Sequence, residues 1–483
     1  MKVRTSQYRQ IAAREMADAH TRRFLRLLPV RLAQRRQAAF ADYVNPAAAI
    51  RSGAAIRAKS LENLPSLLET FEQNALASGA KVFWARDADQ ANRYIIDTAK
   101  ENGVSVVAKG KSMISEEAGL NEALSEAGIE TWETDLGEFI TQLLERPPFH
   151  IVGPAINIPV ERISDIFLEK GVIDSPESDP VRLGLSARRF LRNRFRRAGM
   201  GITGVNMAVA ETGTLINVEN EGNIRFCKSA PRIQVSVMSL EKVVKTTREA
   251  LELLRLLCRS STGQLMSAYV SMDCGPKKEG ETDGPEQLHI VILDNGRSRI
   301  YKDPVTRNAL QCIRCGACLN ACPVYGQIGG YPYGWAYSGP MGQVVSPLLL
   351  GLSATRDLFK SCTLCGTCRD ICPAGVDHPK LMLHYRSRDV AADPLLHGSG
   401  SSLFEKTMVA AYVKAASHPV LWEAAGRGLR SALNLRAKDG VIKGAPGVFK
   451  NWFQSRDLPE GPSRSFRSLW DDDPEGQGDD HAR

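Results

Sequence analysis

Between residues 61 and 133 the apolar positions alternate between a spacing near 3.6 and a spacing near 2, the pattern of helices interleaved with strands. Leu61–Ser78 reads as a helix, Lys81–Ala85 as a strand, Ala88–Asn102 as a helix and Val104–Ala108 as a strand. A helix over Glu116–Ala127 and a strand over Ile129–Glu133 follow. Further strand-like runs lie at Ile151–Gly153, Thr214–Val218, Ile233–Met238, Ala268–Met272 and His289–Leu293. Such alternation predicts an α/β domain with a largely parallel sheet flanked by helices. Beyond it the pattern turns helical, as in Val376–Arg386 with Leu381, Leu383 and Tyr385. The fold class expected is therefore α/β plus α. No apolar run is long enough to span a membrane, since the stretch around Val344–Leu352 is short and contains Pro347.

Composition changes this picture little: 483 residues, 43% hydrophobic and 24% charged, are those of an ordinary folded protein of several domains. Charge changes it more. The net charge is +8, yet the first 60 residues hold thirteen Lys and Arg against three Asp and Glu. Nucleic acid is one reading of a basic arm. Phe24, Leu25, Leu27 and Leu28 at helical spacing instead point to a segment that docks on the body or on a partner protein. The run Arg188, Arg189, Arg192, Arg194, Arg196 and Arg197 fits a solvated or salt-bridged helix face better than an anion site. From Asp471 to Arg483 the chain is acidic and is expected to be disordered. The start, MKVRTSQYRQ, lacks the apolar core of a secretory signal, so a reducing, cytoplasmic location is expected.

The chemistry lies in the cysteines. Eight of eleven fall in two runs, Cys312, Cys315, Cys318, Cys322-Pro323 and Cys362, Cys365, Cys368, Cys372-Pro373. Both read C-x2-C-x2-C-x3-C-P, the spacing of paired 4Fe-4S centres in which the last cysteine of each run ligates the other cluster. Disulfides suit neither the odd total nor a large chain without an export signal. Zinc modules place two CxxC pairs far apart to make one tetrahedron, whereas here three thiols crowd one loop. Two 4Fe-4S clusters are expected, one on Cys312, Cys315, Cys318 and Cys372, the other on Cys362, Cys365, Cys368 and Cys322. Gly316 and Gly366 leave room for backbone N–H groups to turn toward sulfur. Cys227, Cys258 and Cys274 share no close spacing and are expected to be ordinary small side chains. His378 and His384 are expected at the surface or a helix end.

Residues 323–361 separate the two runs and are long enough for helices, which predicts an α-helical ferredoxin module. Tyr331, Tyr333, Trp335 and Tyr337 are expected mainly as core. In the α/β part, Gly110, Gly153, Gly201, Gly204 and Gly213 sit near element ends, but neither G-x-G-x-x-G nor a P-loop is present. Two passages stand out. Lys109-Gly110-Lys111-Ser112 leading to Glu116 and Glu117 suits anion binding or helix capping equally. Glu211, Thr212, Gly213 and Thr214 precede a strand, where Glu211, Thr212 and Thr214 are the catalytic or pocket candidates; capping of a turn by Glu211 is the alternative.

KGKSMISEEAGLNEAL, ETDLGEFITQL and GVNMAVAETGTLINVENEGN, followed by the double cysteine motif, GYPYGWAYSGPMGQVVSPLLLGL and SFRSLW, resemble the lactate-utilisation iron-sulfur protein family of the LutB or LldF type over nearly the whole chain. The resemblance implies an N-terminal LUD domain related to sugar-phosphate isomerase and CoA-transferase folds, then a ferredoxin domain and a family-specific C-terminal region. The expected divisions are a basic arm at 1–60, the LUD domain at 61–300, the two-cluster domain at 301–395, the C-terminal region at 396–470 and the tail at 471–483. It also implies work with two companion proteins, one a cysteine-rich redox protein and one a LUD-domain protein. Together they would oxidise L-lactate to pyruvate, with this chain as electron carrier rather than catalytic subunit. Quinone is a candidate acceptor, no nucleic acid is involved, and attachment to the inner membrane face is left open. Two other readings remain: the α/β domain is itself a small-acid oxidoreductase or binding enzyme, or the chain is a non-catalytic assembly platform.

Overall fold

The computed structural model describes residues 3–444, 452–454 and 456–472. Its strands in the first 400 residues are β1 (Lys81–Ala85), β2 (Val106–Lys109), β3 (Glu130–Glu133), β4 (Met200–Gly204), β5 (Met207–Val209), β6 (Thr214–Glu219), β7 (Ile233–Ser239), β8 (Val243–Val244), β9 (Tyr269–Asp273) and β10 (Gln287–Leu293). Six of them form a sheet in the order β1-β10-β7-β4-β2-β3, parallel at every pairing. The other four form a smaller mixed sheet, β8-β5-β6-β9. Inner strands covered on both faces need nearly continuous apolar sequence, which IQVSVMS of β7 and QLHIVIL of β10 supply.

Capping fixes where the covering helices begin. Asp87 accepts from the Gln90 N–H ahead of Ala88–Glu101, and Thr246 forms a reciprocal capping box with Glu249 ahead of Thr247–Ser261. The helix expected over Glu116–Ala127 is broken in two at Gly119, whose φ of +66° no continuing helix accommodates. The strand expected at Ile151–Gly153 does not form. Phe149 N–H donates to Pro154 O at 2.8 Å instead, closing the backbone into a local loop.

The basic arm docks. Leu25, on the helix Ala19–Phe40, is 2% exposed, Phe24 meets Phe149 edge-on, and Tyr8 packs edge-on against Tyr333. Arg9 forms a bidentate contact with Asp357, and Thr5 Oγ1 donates to Ala354 O at 2.7 Å. The arm thus lies against the segments that join the two cysteine runs. Tyr333, Trp335 and Tyr337 are buried core, as expected, and the helix Gly339–Leu350 is buried through Leu348.

The chain divides into two compact units, 1–400 and 401–483. In the second, a capping box of Ser402 and Glu405 starts the helix Leu403–Ala416, and the helix Pro419–Arg436 meets it through Tyr412 and Trp422. Val441–Ile442 pairs antiparallel with Leu458–Pro459. Of the tail expected to be disordered from Asp471, Asp471 and Asp472 instead close the helix Phe466–Asp471; residues 473–483 lie outside the described residues. Among the described residues no helix is long and apolar enough to cross a membrane.

Candidate metal centre

The two cysteine runs fold alike. In each, the residue before the second cysteine is left-handed without being glycine, Arg314 at φ +61° and Leu364 at φ +57°, and the glycine after it is left-handed too, Gly316 at +86° and Gly366 at +83°. Non-glycine residues occupy this region at a cost, which is tolerated where the surroundings hold them to it. The result is to aim an N–H at the first sulfur: Arg314 N donates to Cys312 Sγ and Leu364 N to Cys362 Sγ, both at 3.4 Å. The last cysteines receive the same treatment, from Tyr325 N to Cys322 Sγ at 3.5 Å and Val376 N to Cys372 Sγ at 3.4 Å. Backbone donors on sulfur favour the thiolate and tune a cluster's potential.

The eight thiols sort into two groups. Burial pushes Cys315 up to about 12, with Cys372 and then Cys312 adding to it. Cys318 is raised by burial, then by Cys312, Cys315 and Cys372, and last by Cys368 of the second run. Burial likewise lifts Cys322 to about 11 and Cys368 to about 12, with Cys362 and Cys365 adding to the first and Cys322, Cys362 and Cys365 to the second. A small cavity is walled by Cys322 together with Cys362, Cys365 and Cys368. Cys322 of the first run thus stands with three thiols of the second, and Cys372 of the second run packs in the same apolar cluster as Cys315 of the first. Iron fits these residues: the donors are soft, and a bound metal holds as thiolates the very groups that burial alone would keep protonated. Among the described residues no three Cys, His, Asp or Glu side chains converge on a point for one ion. A cubane asks for a different arrangement, four thiolates standing apart at its corners.

Two arginines hold the approach to each run. Arg57, 2% exposed, donates to Leu310 O at 3.0 Å and Gln311 O at 3.1 Å; Arg386 donates to Phe359 O at 3.1 Å and Cys362 O at 2.6 Å. A buried charge chain then ties the first run to the parallel sheet. Arg314 Nη2 meets Glu241 at 3.3 Å, Arg297 Nε stands 3.1 Å from Glu241 Oε2 without hydrogen-bond alignment, and Arg297 pairs with both oxygens of Glu117. Tyr337 donates to Glu117, and Arg314 lies over the Tyr337 ring. Burial works to raise the Glu241 carboxyl, but Arg297 and Arg314 outweigh it and hold it down at about 2.

None of these arginines was singled out by the sequence, and only the fact that Arg314 sits inside the motif could have drawn attention to it. The other predicted positions separate. Glu211 and Thr212 are exposed. Glu211 accepts from Thr247 N–H at 2.7 Å at the start of the helix Thr247–Ser261, and Thr212 donates to Thr214. That turn has a structural account without a ligand. In the other passage the capping role appears, with Ser112 capping the helix Met113–Ala118; Lys109 is buried against Glu133 and Glu116, and Lys111 lines a cavity. His378 does begin a helix, but it is 4% exposed, held by Val376 O and not at the surface.

Cys227 is buried with its sulfur 3.4 Å from Thr134 Oγ1, Cys274 is exposed, and Cys258 packs in the same apolar cluster as Ile313, Cys315 and Cys372. Replacing all three with Ala is expected to leave iron content unchanged in anaerobically purified protein. Loss of about four irons, one cubane's worth, would instead show a further iron site among them.

Three family models match successive parts of the chain: LUD domain over residues 68–293, 4Fe-4S dicluster domain over 308–376, and Lactate utilisation protein B, C-terminal, over 384–474. Lactate utilization protein B of Lysinibacillus sphaericus is 42% identical over 417 residues, 86% of each chain. That of Bacillus subtilis is 40% identical over 419 residues, and an uncharacterized electron transport protein, YkgF, of Escherichia coli is 39% identical over 415, again 86% of each chain in both cases. A crystal structure of a DUF162 family protein from Deinococcus radiodurans aligns over 48% of this chain and 98% of its own, at 16% identity and a TM-score of 0.28. With relatives this similar along this much of their length, and a cysteine module to match, the chain belongs to the lactate utilization protein B family of iron-sulfur proteins.

Proposed function

We propose that the chain is the electron-transfer subunit of a multi-protein complex that oxidises L-lactate to pyruvate. Cys312, Cys315, Cys318 and Cys372 would hold one 4Fe-4S cluster, and Cys362, Cys365, Cys368 and Cys322 the second. The observation that supports this reading is that Cys322 stands with the three thiols of the other run around one cavity, while Cys372 packs in the same apolar cluster as Cys315 of the first run. Bound there, each cluster supplies one-electron redox chemistry with no open coordination position for substrate. The protein's part is to insulate and to orient: the arm and the aromatic segment cover the runs, the backbone N–H groups address the sulfurs, and Arg57 and Arg386 fix the loops. Cys365 is exposed, so the second site is the one that a partner or a small acceptor such as a quinone reaches. The partners in this reading are two companion lactate-utilisation proteins, one cysteine-rich and one with a LUD domain.

The test compares lactate-dependent dye reduction by the anaerobically purified chain with that of the same chain plus its companions. The chain alone is expected to be inactive and the mixture active, with the cluster spectra reduced only in the mixture. Dye reduction by lactate and the chain alone would replace this reading with one in which the α/β domain is the dehydrogenase.

A further inference from the structure

Within the parallel sheet, β2 continues to β3 on one side, while β4, its other neighbour, continues to β7 on the opposite side. The crevice at the carboxyl ends of β2 and β4 is therefore the topological switch point, the place where open α/β sheets take their ligands. A cavity of about 280 Å³ opens there, the size of a small ligand's site. Lys111, just past β2, lines it; so do Lys242, just past β7, Asn217 of β6, and Arg314 and Cys315 of the first cysteine run. One wall of the cavity is thus the first metal loop.

The polar groups of this cavity are unequally used. Its carboxylates already accept backbone N–H groups: Asp135 from Glu138, Glu219 from Ile224 and Glu221 from Leu136. Its cations are less committed. No hydrogen bond or ion pair engages Lys111 or Lys242 among the described residues, and Arg314, although paired with Glu241, keeps Nη1 buried without a partner. Asn217 adds a buried acceptor. Its Nδ2 donates to Gly204 O at 2.7 Å, which fixes the amide's orientation and leaves Oδ1 without a partner. Val205, Leu257 and Ile224 supply apolar wall between them. Spare cationic donors call for an anion, a spare fixed acceptor calls for a hydroxyl or another donor, and the apolar wall calls for a short carbon skeleton.

The geometry points to a binding site in this chain for a small 2-hydroxy or 2-oxo monocarboxylate, seated at the sheet's switch point against the loop of Cys312 and Cys315. The choice of a hydroxy acid over another organic anion rests on the reading of the chain as part of a lactate-oxidising complex; the site itself rests on the cavity. A carboxylate would lie among Lys111, Lys242 and Arg314, and a hydroxyl would donate to Asn217 Oδ1. Occupancy of the cavity would be felt at the first cluster, because Arg314 N–H donates to Cys312 Sγ and the Arg314 side chain faces the ligand's compartment.

The test is calorimetric titration of the anaerobically purified holoprotein with L-lactate, pyruvate and inorganic phosphate, with electron paramagnetic resonance of the reduced clusters recorded at each end point. One site per chain is expected for lactate or pyruvate, together with a changed line shape of one cluster. Lys111→Met should weaken that binding at least tenfold with iron content unaltered, and Asn217→Ala should weaken lactate more than pyruvate. Absence of saturable binding at millimolar concentrations, indifference to Lys111→Met, or tighter binding of phosphate than of either acid would each overturn the proposal. Neither the titration nor the resonance spectra need the companions. A chain that passes electrons but binds no acid sinks this inference alone, and one that binds acid but passes none sinks only the electron-transfer reading.

Discussion

Cys372→Ser is expected to strip iron from the centre whose other ligands lie about sixty residues earlier, at Cys312, Cys315 and Cys318, and to spare the centre of its own run. The native protein should carry about eight irons, four to each cubane, so the variant should retain roughly half. Serine preserves the side chain's shape but offers a harder oxygen donor that a cluster preferring thiolate holds poorly. The physical basis is the placement of the last thiols: Cys372 packs in the same apolar cluster as Cys315, whereas Cys322 stands with Cys362, Cys365 and Cys368 around one small cavity. Cys322→Ser is the mirror experiment and should damage the centre on the second run. Metal analysis with resonance spectra of the two variants reads the result. If Cys372→Ser keeps a native signal from the first run, the crossing of ligands is wrong.

Glu241→Gln should be among the most destabilising single changes in the chain, at about 3–5 kcal/mol, the usual cost of removing one member of a buried ion cluster. Its carboxylate is shared by Arg297 and Arg314, and its backbone carbonyl accepts from Arg57. Glutamine keeps the volume and removes the charge, so Arg297 retains Glu117 alone and Arg314 retains no carboxylate. With its carboxyl held at about 2, Glu241 is ionised at every pH where the protein is handled, and neutralising it is a real change in charge. Anaerobic unfolding in urea should show a clearly lowered midpoint. Glu211→Gln, at an exposed carboxylate, serves as the control and should move it little. Equal midpoints for the two variants would mean that the buried chain of charges contributes nothing to holding the first run on the sheet.

What the sequence discloses depends on how local the cause is. β7 and β10 were legible because strands covered on both faces must be apolar throughout, and the cysteine runs were legible because four ligands on a short loop leave a fixed spacing. β4 was not. Its sequence, MGITG, is poor in strand formers because packing demands glycine: a Cβ on Gly201 would come within 1.6 Å of Cys227 O on the helix Asn223–Ser229. Ile151–Gly153 misled in the opposite sense, since the β-branched Ile151 and Val152 lie in a loop. The left-handed turns at Arg314 and Leu364 carry no signature at all, since neither residue type favours them, and only their matched places in two runs betray them in the structure. The partners of Arg57, Arg297 and Glu241 lie up to about 250 residues away, so no local pattern announces them. Even the motif spacing, which named the clusters and their expected ligands, is silent on where the cavity lies.

The contact between Arg9 and Asp357 spans 348 residues. A chain emerging from the ribosome has made its arm first and can seat it only when Asp357 follows, with most of the protein already outside. Before that moment Tyr8 can already meet Tyr333 and Phe24 can meet Phe149, so the arm's contacts accrue in stages, and the loop that Arg9 closes is nearly as long as the chain made so far. Closing such a loop late adds little entropy per further residue but sets the order of events. The sheet, whose strands are complete by Leu293, is free to form before either metal loop exists. Arg9 can therefore close on Asp357 once the sheet is complete and before the second cysteine run, which begins at Cys362, has been made.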